Sequence, residues 1–398
     1  MSNKDYAKLS LEMHKKLHGK LEVVAKCPLE TVDDLSIAYT PGVAQSCVEI
    51  AQNLELAYDY TIKGRTIAVV TDGSAVLGLG NIGATAALPV MEGKAALFKC
   101  FANIDAVPVC LDTQDVDEIV RTVRLIAPGF GGINLEDISA PRCFEVEKRL
   151  DEELDIPVFH DDQHGTAVVV GAALLNVCKL LLRKVEDLHI VINGAGAAGT
   201  SITNMLISLG ARNITVVDSR GVVNSARVDL TQQKFELAQT LERLNSVRSN
   251  ATTLRQALVN ADVFIGVSAP KVVDEDTVRS MNTDAVIFAL SNPVPEIMPE
   301  VALSAGAKIT ATGRSDFHNQ INNVLAFPGI FKGALESRAS SITQNMLIAA
   351  TNALADFVPS GELSTTRIIP QAFDQGVADV VAEAVSGAWI KDQELGSA

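Results

Sequence analysis

The stretch HIVINGAGAAGTSITNMLISLGARNITVVDSRG, residues 189–221, decides the fold. It opens with an apolar, β-branched run and passes through Gly194, Gly196 and Gly199 at G-x-G-x-x-G spacing. It then takes on helical periodicity and closes on a second apolar run ending in Asp218. Each glycine has its own task in a strand–turn–helix unit: a tight turn at the first, close backbone approach by a ligand at the second, close helix–strand packing at the third. The helix N-terminus beyond such a turn presents free N–H groups to phosphate. A lone fingerprint is weak evidence, but here a strand precedes it, a helix follows, and an acidic residue ends the next strand. The stretch predicts a Rossmann-type, doubly wound unit binding a dinucleotide at Gly194, Gly196, Ala197, Ala198 and Gly199. Asp218 is placed for a ribose 2′-hydroxyl and disfavours a 2′-phosphate; Arg220, two residues on, offsets that charge. NAD is the expected cofactor, with NADP left open. The plain alternative is a glycine-rich turn with no ligand.

Outward from this unit, short apolar runs alternate with helical patterns. Strands are expected at 66–72, 106–112, 131–137, 156–162, 213–219, 262–268, 285–292 and 307–313, besides 189–196. Most are apolar along their whole length, as in parallel sheets covered on both faces. The class is α/β. The first ~65 residues and the last ~85 are helical instead. The expected division is 1–163, an α/β substrate and metal domain; 164–312, the dinucleotide domain; and 313–398, a helical C-terminal segment. Nearly every strand ends in a polar residue, among them Asp72, Asp112, Asp137, Asp161, Asp218, Ser268 and Asn292. Ligands of open α/β sheets bind beyond these carboxyl ends, although an Asp there is also an ordinary helix N-cap.

Composition narrows the partners. The 398 residues are 47% hydrophobic and 20% charged, with a net charge of −15. So acidic a chain repels nucleic acid and anionic membrane, and an anionic substrate would need a local Lys, Arg or metal ion. The six cysteines include no C-x-x-C pair, and the N-terminus has no signal-peptide core, so a reducing, cytoplasmic setting is expected. No apolar stretch is expected to reach the length of a membrane span.

Four carboxylates fall at two strand ends: Glu136 and Asp137 in INLEDI, Asp161 and Asp162 in VFHDDQHG. If the strands are neighbours, the four converge at a cost that a hard divalent cation, Mg²⁺ or Mn²⁺, would remove. His160 and His164 suggest zinc, but a four-residue His spacing serves only on a helix, and this stretch reads as a strand end and turn. Lys94, in MEGKAALFK, stands in an apolar segment. It is either a surface residue laying its stem on apolar neighbours or a partly buried base with a lowered pKa, tuned by a carboxylate such as Asp161.

Together these motifs resemble the malic enzyme family in its short bacterial form. The matching stretches are LSIAYTPGVA (35–44), TDGSAVLGLGNIG (71–83), MEGKAALFK (91–99), INLEDI (133–138), VFHDDQHGTA (158–167), GAGAAG (194–199), LSNPVPE (290–296) and NQINNVLAFPGIFKGAL (319–335). The resemblance implies oxidative decarboxylation of L-malate to pyruvate and CO₂ with reduction of a nicotinamide cofactor. By similarity, Glu136, Asp137 and Asp162 ligate the metal, Lys94 is the base, Asp161 orients it, and Tyr39 is the general acid. Asn292 and Asn323 match residues that contact substrate, with Asn292 also beside the cofactor. The C-terminal segment returns to the first domain, and the assembly is a homodimer. An Arg that larger members carry before LGLG is replaced here by Ser74-Ala75-Val76, so the residue holding the substrate's C4 carboxylate is left open. A decarboxylase acting on oxaloacetate without net redox would need the same residues. A non-catalytic dinucleotide sensor would need only the glycine turn and Asp218. Malolactic chemistry is expected in longer chains.

Overall fold

A computed structural model of the chain describes residues 5–76, 78–245 and 250–396; Leu77 of the TDGSAVLGLG loop lies outside them. Two sheets form. The first holds β1 (Thr66–Thr71), β2 (Asp105–Cys110), β3 (Gly132–Leu135) and β4 (Val158–His160), all parallel, in the order β2-β1-β3-β4. The second holds β5 (His189–Asn193), β6 (Asn213–Asp218), β7 (Gly221–Val222), β8 (Val263–Gly266), β9 (Val286–Ala289) and β10 (Ile309–Thr312). Its order is β10-β9-β8-β5-β6-β7, parallel except where β7 turns back on β6. All nine expected strands are present. β7 has only two residues, too few to show periodicity. β2 departs from expectation: as the edge strand it is only half-buried, not covered on both faces.

Ten helices suffice to place the site. An N-terminal arm contains α1 (Tyr6–Leu17), α2 (Val32–Ala38), α3 (Val43–Gln52) and α4 (Leu56–Tyr60). Around the first sheet lie α5 (Ala84–Ala102), α6 (Val116–Ile126) and α7 (Arg142–Glu153). Then come α8 (Asp161–Leu181), α9 (Ala197–Ser208) and α10 (Gln232–Leu244). The main apolar core runs without a break from Ile67 and Phe98 through Val168–Leu174 of α8 to Ile190 and Ile192 of the second sheet. The helix Phe327–Glu336 packs back on α5: Phe98 meets Phe327 at 4.6 Å and Phe331 at 5.4 Å between ring centroids. The chain thus returns from the second sheet to the first.

α8 corrects one expectation. With 21 residues it is long and apolar enough to cross a membrane, yet 67% of its most apolar 18-residue stretch is buried inside the fold. It is a core helix, apolar all round because protein surrounds it.

The arm is the opposite case. Its helices are well formed: Asp5 caps α1, and Thr31 and Asp34 make a reciprocal capping box on α2. Yet none of the four helices buries a residue, and Leu11, Val24, Leu35, Ile37 and Leu54 are exposed.

Candidate active site

β3 and β4 are neighbours, paired Leu135 to His160, so the residues that follow them meet at one sheet edge. Glu136 and Asp137 leave β3; Asp161 and Asp162 open α8. One carboxylate oxygen from each of Glu136, Asp137 and Asp162 lies within 4.8 Å of the others. The Asp137 N–H donates to Asp162 Oδ2 at 3.1 Å, made possible by a left-handed Asp137 backbone (φ 53°) that Asp tolerates better than most residues. Asn134 Nδ2 holds Glu136 Oε2 at 3.0 Å. Burial and the nearby Asp162 and Glu136 push Asp137 up to about 9, and burial also raises Glu136. Asp137 Oδ2 is buried without a partner. Converging oxygens, like charges and an unfilled acceptor fit a hard divalent cation.

Lys94 comes to the same place from α5 and is 7% exposed. Its Nζ donates to Asp161 Oδ2, lies 2.9 Å from Glu136 Oε1, and sits 4.1 Å from the centre of the Phe327 ring. It is a buried residue, not a surface one. Its charge state differs from expectation: burial alone would lower its pKa, but Asp161 and Glu136 outweigh that and raise it. Asp161, fully buried, is pushed up to about 6 by that burial although Lys94 pulls it down. Asn323 is close by: its Cβ lies 3.1 Å from where a side chain on Gly165 would begin.

The histidines do something other than ligate. The helix starts at Asp161, so His164 lies on α8 and not in a turn. Its Nε2 points to Glu147 on α7, 3.0 Å from Oε1; a carboxylate only accepts, so this nitrogen carries the proton. Glu147 Oε1 also accepts the His160 N–H at 2.7 Å, and Oε2 accepts Gln163 Nε2 at 3.0 Å. Burial alone would raise Glu147, but His164 holds it below the usual range. Both His160 ring nitrogens are buried without partners. Sequence reading missed Glu147 and Gln163, because nothing local to α7 marks one glutamate on a charged helix.

At the carboxyl edge of the second sheet a cavity of about 730 Å³ is lined by Gly194, Gly196, Asp218, Arg220, Lys234 and Ser268, and on its far side by Pro141 and Phe144 of the first half. Gly194 has φ 128°, and a Cβ on Gly199 would fall 1.8 Å from the Gly194 carbonyl oxygen, so both must be glycine. Ala197, Ala198 and Gly199 form the first turn of α9 behind that bend. Asp218 lines the cavity, but its carboxylate is committed. Oδ1 accepts from the Arg220 N–H (3.0 Å) and Arg227 Nη1 (2.8 Å); Oδ2 accepts from Arg227 Nη2 (3.3 Å) and Lys234 Nζ (2.8 Å). Burial would raise it, yet these donors hold it down at about 2. Arg227 and Lys234 were not read from the sequence, though two cations within 16 residues of a strand-end Asp are a usable signal. Arg220, expected beside Asp218, pairs its side chain with Asp229 at 2.9 Å.

Two predicted residues stand apart from the buried cluster. Tyr39 is 68% exposed on the arm, and its side chain makes no hydrogen bond among the described residues. Asn292 lies where the two halves meet: a side chain on Gly78 would begin 3.3 Å from its carbonyl oxygen.

Residues 18–151 match the malic enzyme N-terminal domain, and residues 163–389 the malic enzyme NAD binding domain. A bifunctional malic/malolactic enzyme of Bacillus subtilis is 52% identical over 95% of this chain and 92% of its own length. An NAD-dependent malic enzyme of Geobacillus stearothermophilus is 53% identical over 92% of this chain and 76% of its own. The crystal structure of an NAD-dependent malic enzyme from Thermotoga maritima superposes with a TM-score of 0.90 at 49% identity, covering 95% of this chain and 99% of that one. The Bacillus relative, matched over nearly its whole length, corrects the expectation that malolactic chemistry needs a longer chain. With both domain types matched in order and half of all residues shared with such relatives, the chain belongs to the malic enzyme family.

Proposed function

We propose that this chain oxidises and decarboxylates L-malate to pyruvate and CO₂, reducing NAD⁺ or NADP⁺ with the aid of Mg²⁺ or Mn²⁺. The observation that carries this reading is a single junction. Buried Lys94, its partner Asp161 and a three-carboxylate cluster converge at the carboxyl edge of one sheet, and the dinucleotide cavity opens at the carboxyl edge of the other.

Glu136, Asp137 and Asp162 would hold the cation, whose charge would offset the carboxylates that keep Lys94 protonated; Lys94, once neutral, takes the proton of the C2 hydroxyl, and Asp161 fixes the nitrogen that receives it. Phe327 covers that nitrogen on one side and excludes water. Bound cation and cofactor supply polarisation of the C2 oxygen, positive charge set against Glu136 and Asp161, and a hydride acceptor. Asn292 and Asn323 orient the substrate, and Tyr39 returns a proton to the carbon left by CO₂. Because Tyr39 sits on an arm with no buried residue, its exposed apolar side chains favour a homodimer in which the arm of one copy completes the site of the other.

Both cofactors fit this reading. A carboxylate with four acceptor positions already filled has none left for a ribose hydroxyl. Arg220, Arg227 and Lys234 outnumber Asp218 and Asp229, so the rim tolerates a 2′-phosphate. Six free cysteines and a net charge of −15 support a reducing, cytoplasmic setting without nucleic-acid or membrane partners.

The test is NADH or NADPH formation from L-malate with Mn²⁺, run beside CO₂ release from oxaloacetate. Release from oxaloacetate with no reduced cofactor from malate would overturn the redox assignment. Mixing Tyr39→Phe and Lys94→Ala protomers tests the dimer: if Tyr39 acts across copies, the hybrid regains one intact site and activity returns. If it acts within its own chain, every site stays broken.

A further inference from the structure

The two histidines and the glutamine of HDDQH take no part in the proposed chemistry, yet they bracket the two aspartates that do. All three converge on Glu147, from the opposite side of the helix start. The Glu147 carboxylate accepts the His160 backbone N–H at 2.7 Å, Gln163 Nε2 at 3.0 Å and His164 Nε2 at 3.0 Å. A helix start ordinarily satisfies its first N–H groups with its own N-cap side chain. His160, the N-cap here, supplies no such bond; its own N–H, at the end of β4, is held by Glu147 of α7, which ties the strand–helix junction from outside. At its first residue α7 is tied too: Arg142 Nη2 reaches Asp72 Oδ2, just past β1, at 3.2 Å. α7 therefore braces the ends of two strands of the first sheet.

The geometry points to Glu147 as a positioning residue that sets the angle at which α8 presents Asp161 to Lys94 and Asp162 to the cation. The inference rests on Asp162 being a metal ligand. Outer partners of this kind act through the ligand they orient, and their loss typically weakens metal binding about 10- to 100-fold. Without Glu147 the first turn of α8 keeps its residues but loses its outside anchor on both sides of the aspartate pair.

The experiment measures Mn²⁺ binding from the free Mn²⁺ electron paramagnetic resonance signal and NADH binding by fluorescence, on the full chain. Glu147→Ala should raise the Mn²⁺ Kd about 10- to 100-fold and leave the NADH Kd within about twofold. Its malate activity should recover toward the parent at saturating Mn²⁺. Glu147→Gln retains an oxygen for the His160 N–H but sets a donating NH2 against two donors, Gln163 Nε2 and His164 Nε2, so its Mn²⁺ affinity should fall between those of Glu147→Ala and the parent. If Glu147→Ala fails to fold, Glu147→Asp withdraws the carboxylate by one methylene and should show an intermediate loss. A Mn²⁺ Kd unchanged in the folded variant, or NADH binding lost to the same degree, overturns the assignment. Asp162→Asn in the same assay separates the underlying reading: if it binds Mn²⁺ like the parent, the ligand set is wrong whatever Glu147 does.

Discussion

Gly165 offers a one-atom test of how tightly the catalytic turn is built. It lies one helical turn after Asp161, and a Cβ placed there would sit 1.9 Å from Asp161 Oδ1 and 3.1 Å from the Asn323 Cβ. Carbon and oxygen do not approach within about 3 Å, so in Gly165→Ala that oxygen must move by more than about 1 Å. Asp161 has no exposed surface to move into. Oδ1 is the unpartnered oxygen, while Oδ2 holds Lys94, so turning the carboxylate to clear the methyl also turns Oδ2 away from Nζ. A displacement of about 1 Å at a reacting group costs on the order of 10²-fold in rate. Stability should move far less. Alanine gains about 1 kcal/mol over glycine inside a helix, against an overpacking penalty of about 1–3 kcal/mol. Gly165→Ala should therefore lose about 10²-fold in kcat/KM for malate, keep its NADH affinity, and shift Tm by no more than about 4 °C. Steady-state kinetics, cofactor fluorescence and a thermal melt together read this out. A variant within threefold of the parent in kcat/KM would refute the reasoning, because Asp161 would then tolerate the move that the packing forbids.

Three further outcomes are expected. Asp162→Asn should lose Mn²⁺ binding while NADH binding survives, since the two sites sit on different sheets; equal Mn²⁺ affinity in mutant and parent would remove Asp162 from the ligand set. Lys234→Ala should raise the Kd for NADPH by about 5- to 30-fold, the weight of one charge-assisted contact of about 1–2 kcal/mol, and change that for NADH little; an equal effect on both would place the 2′-phosphate elsewhere. Burial pushes the Cys178 thiol up to about 11 and, with Glu147 nearby, Cys143 up to about 12. A raised thiol pKa leaves roughly one Cys178 in a thousand ionised at pH 8. In the folded protein alkylation at both should be negligible there and should grow with pH toward 11, as read by peptide mass spectrometry; fast labelling of Cys143 at pH 7 would contradict its burial.

Legibility in the sequence followed the range of the forces involved. The strands were readable because a strand covered on both faces is a continuous apolar run. The glycine turn was readable because the backbone angle of Gly194 and the approach of Gly199 to it are set within a few residues, although Val267 also crowds Gly194. Asp161 and Asp162 were recognisable as a pair, but DDQHG looks like a turn, with a glycine and weak helix formers. It is a helix because acidic residues suit an N-terminus, and Glu147, on another helix, holds the His160 N–H just before it and the Gln163 side chain within it. The charge on Lys94 was misread for the same reason: its partner Asp161 lies 67 residues away, and burial alone argues the other way. The apolar residues of the arm were visible, but that they stay exposed on this fold was not, because burial is decided by contacts far along the chain.

α8 works as a ruler. Its first turn carries the aspartates, its body packs in the core shared by the two sheets, and its last turn, at Cys178 and Leu181, lies beside Leu188 and Val263 at the amino edge of the second sheet. At about 1.5 Å per residue its 21 residues make roughly 30 Å of stiff rod. A swing of the dinucleotide half relative to the first sheet must therefore be absorbed at the ends of the rod, not along it. The same geometry restricts the chain's history. One residue added to the middle of α8 would turn its two ends by about 100° relative to each other and separate them by about 1.5 Å, pulling the aspartates off the lysine or the apolar face off the core. A residue added to an exposed loop carries no such rotation; one added inside this helix does.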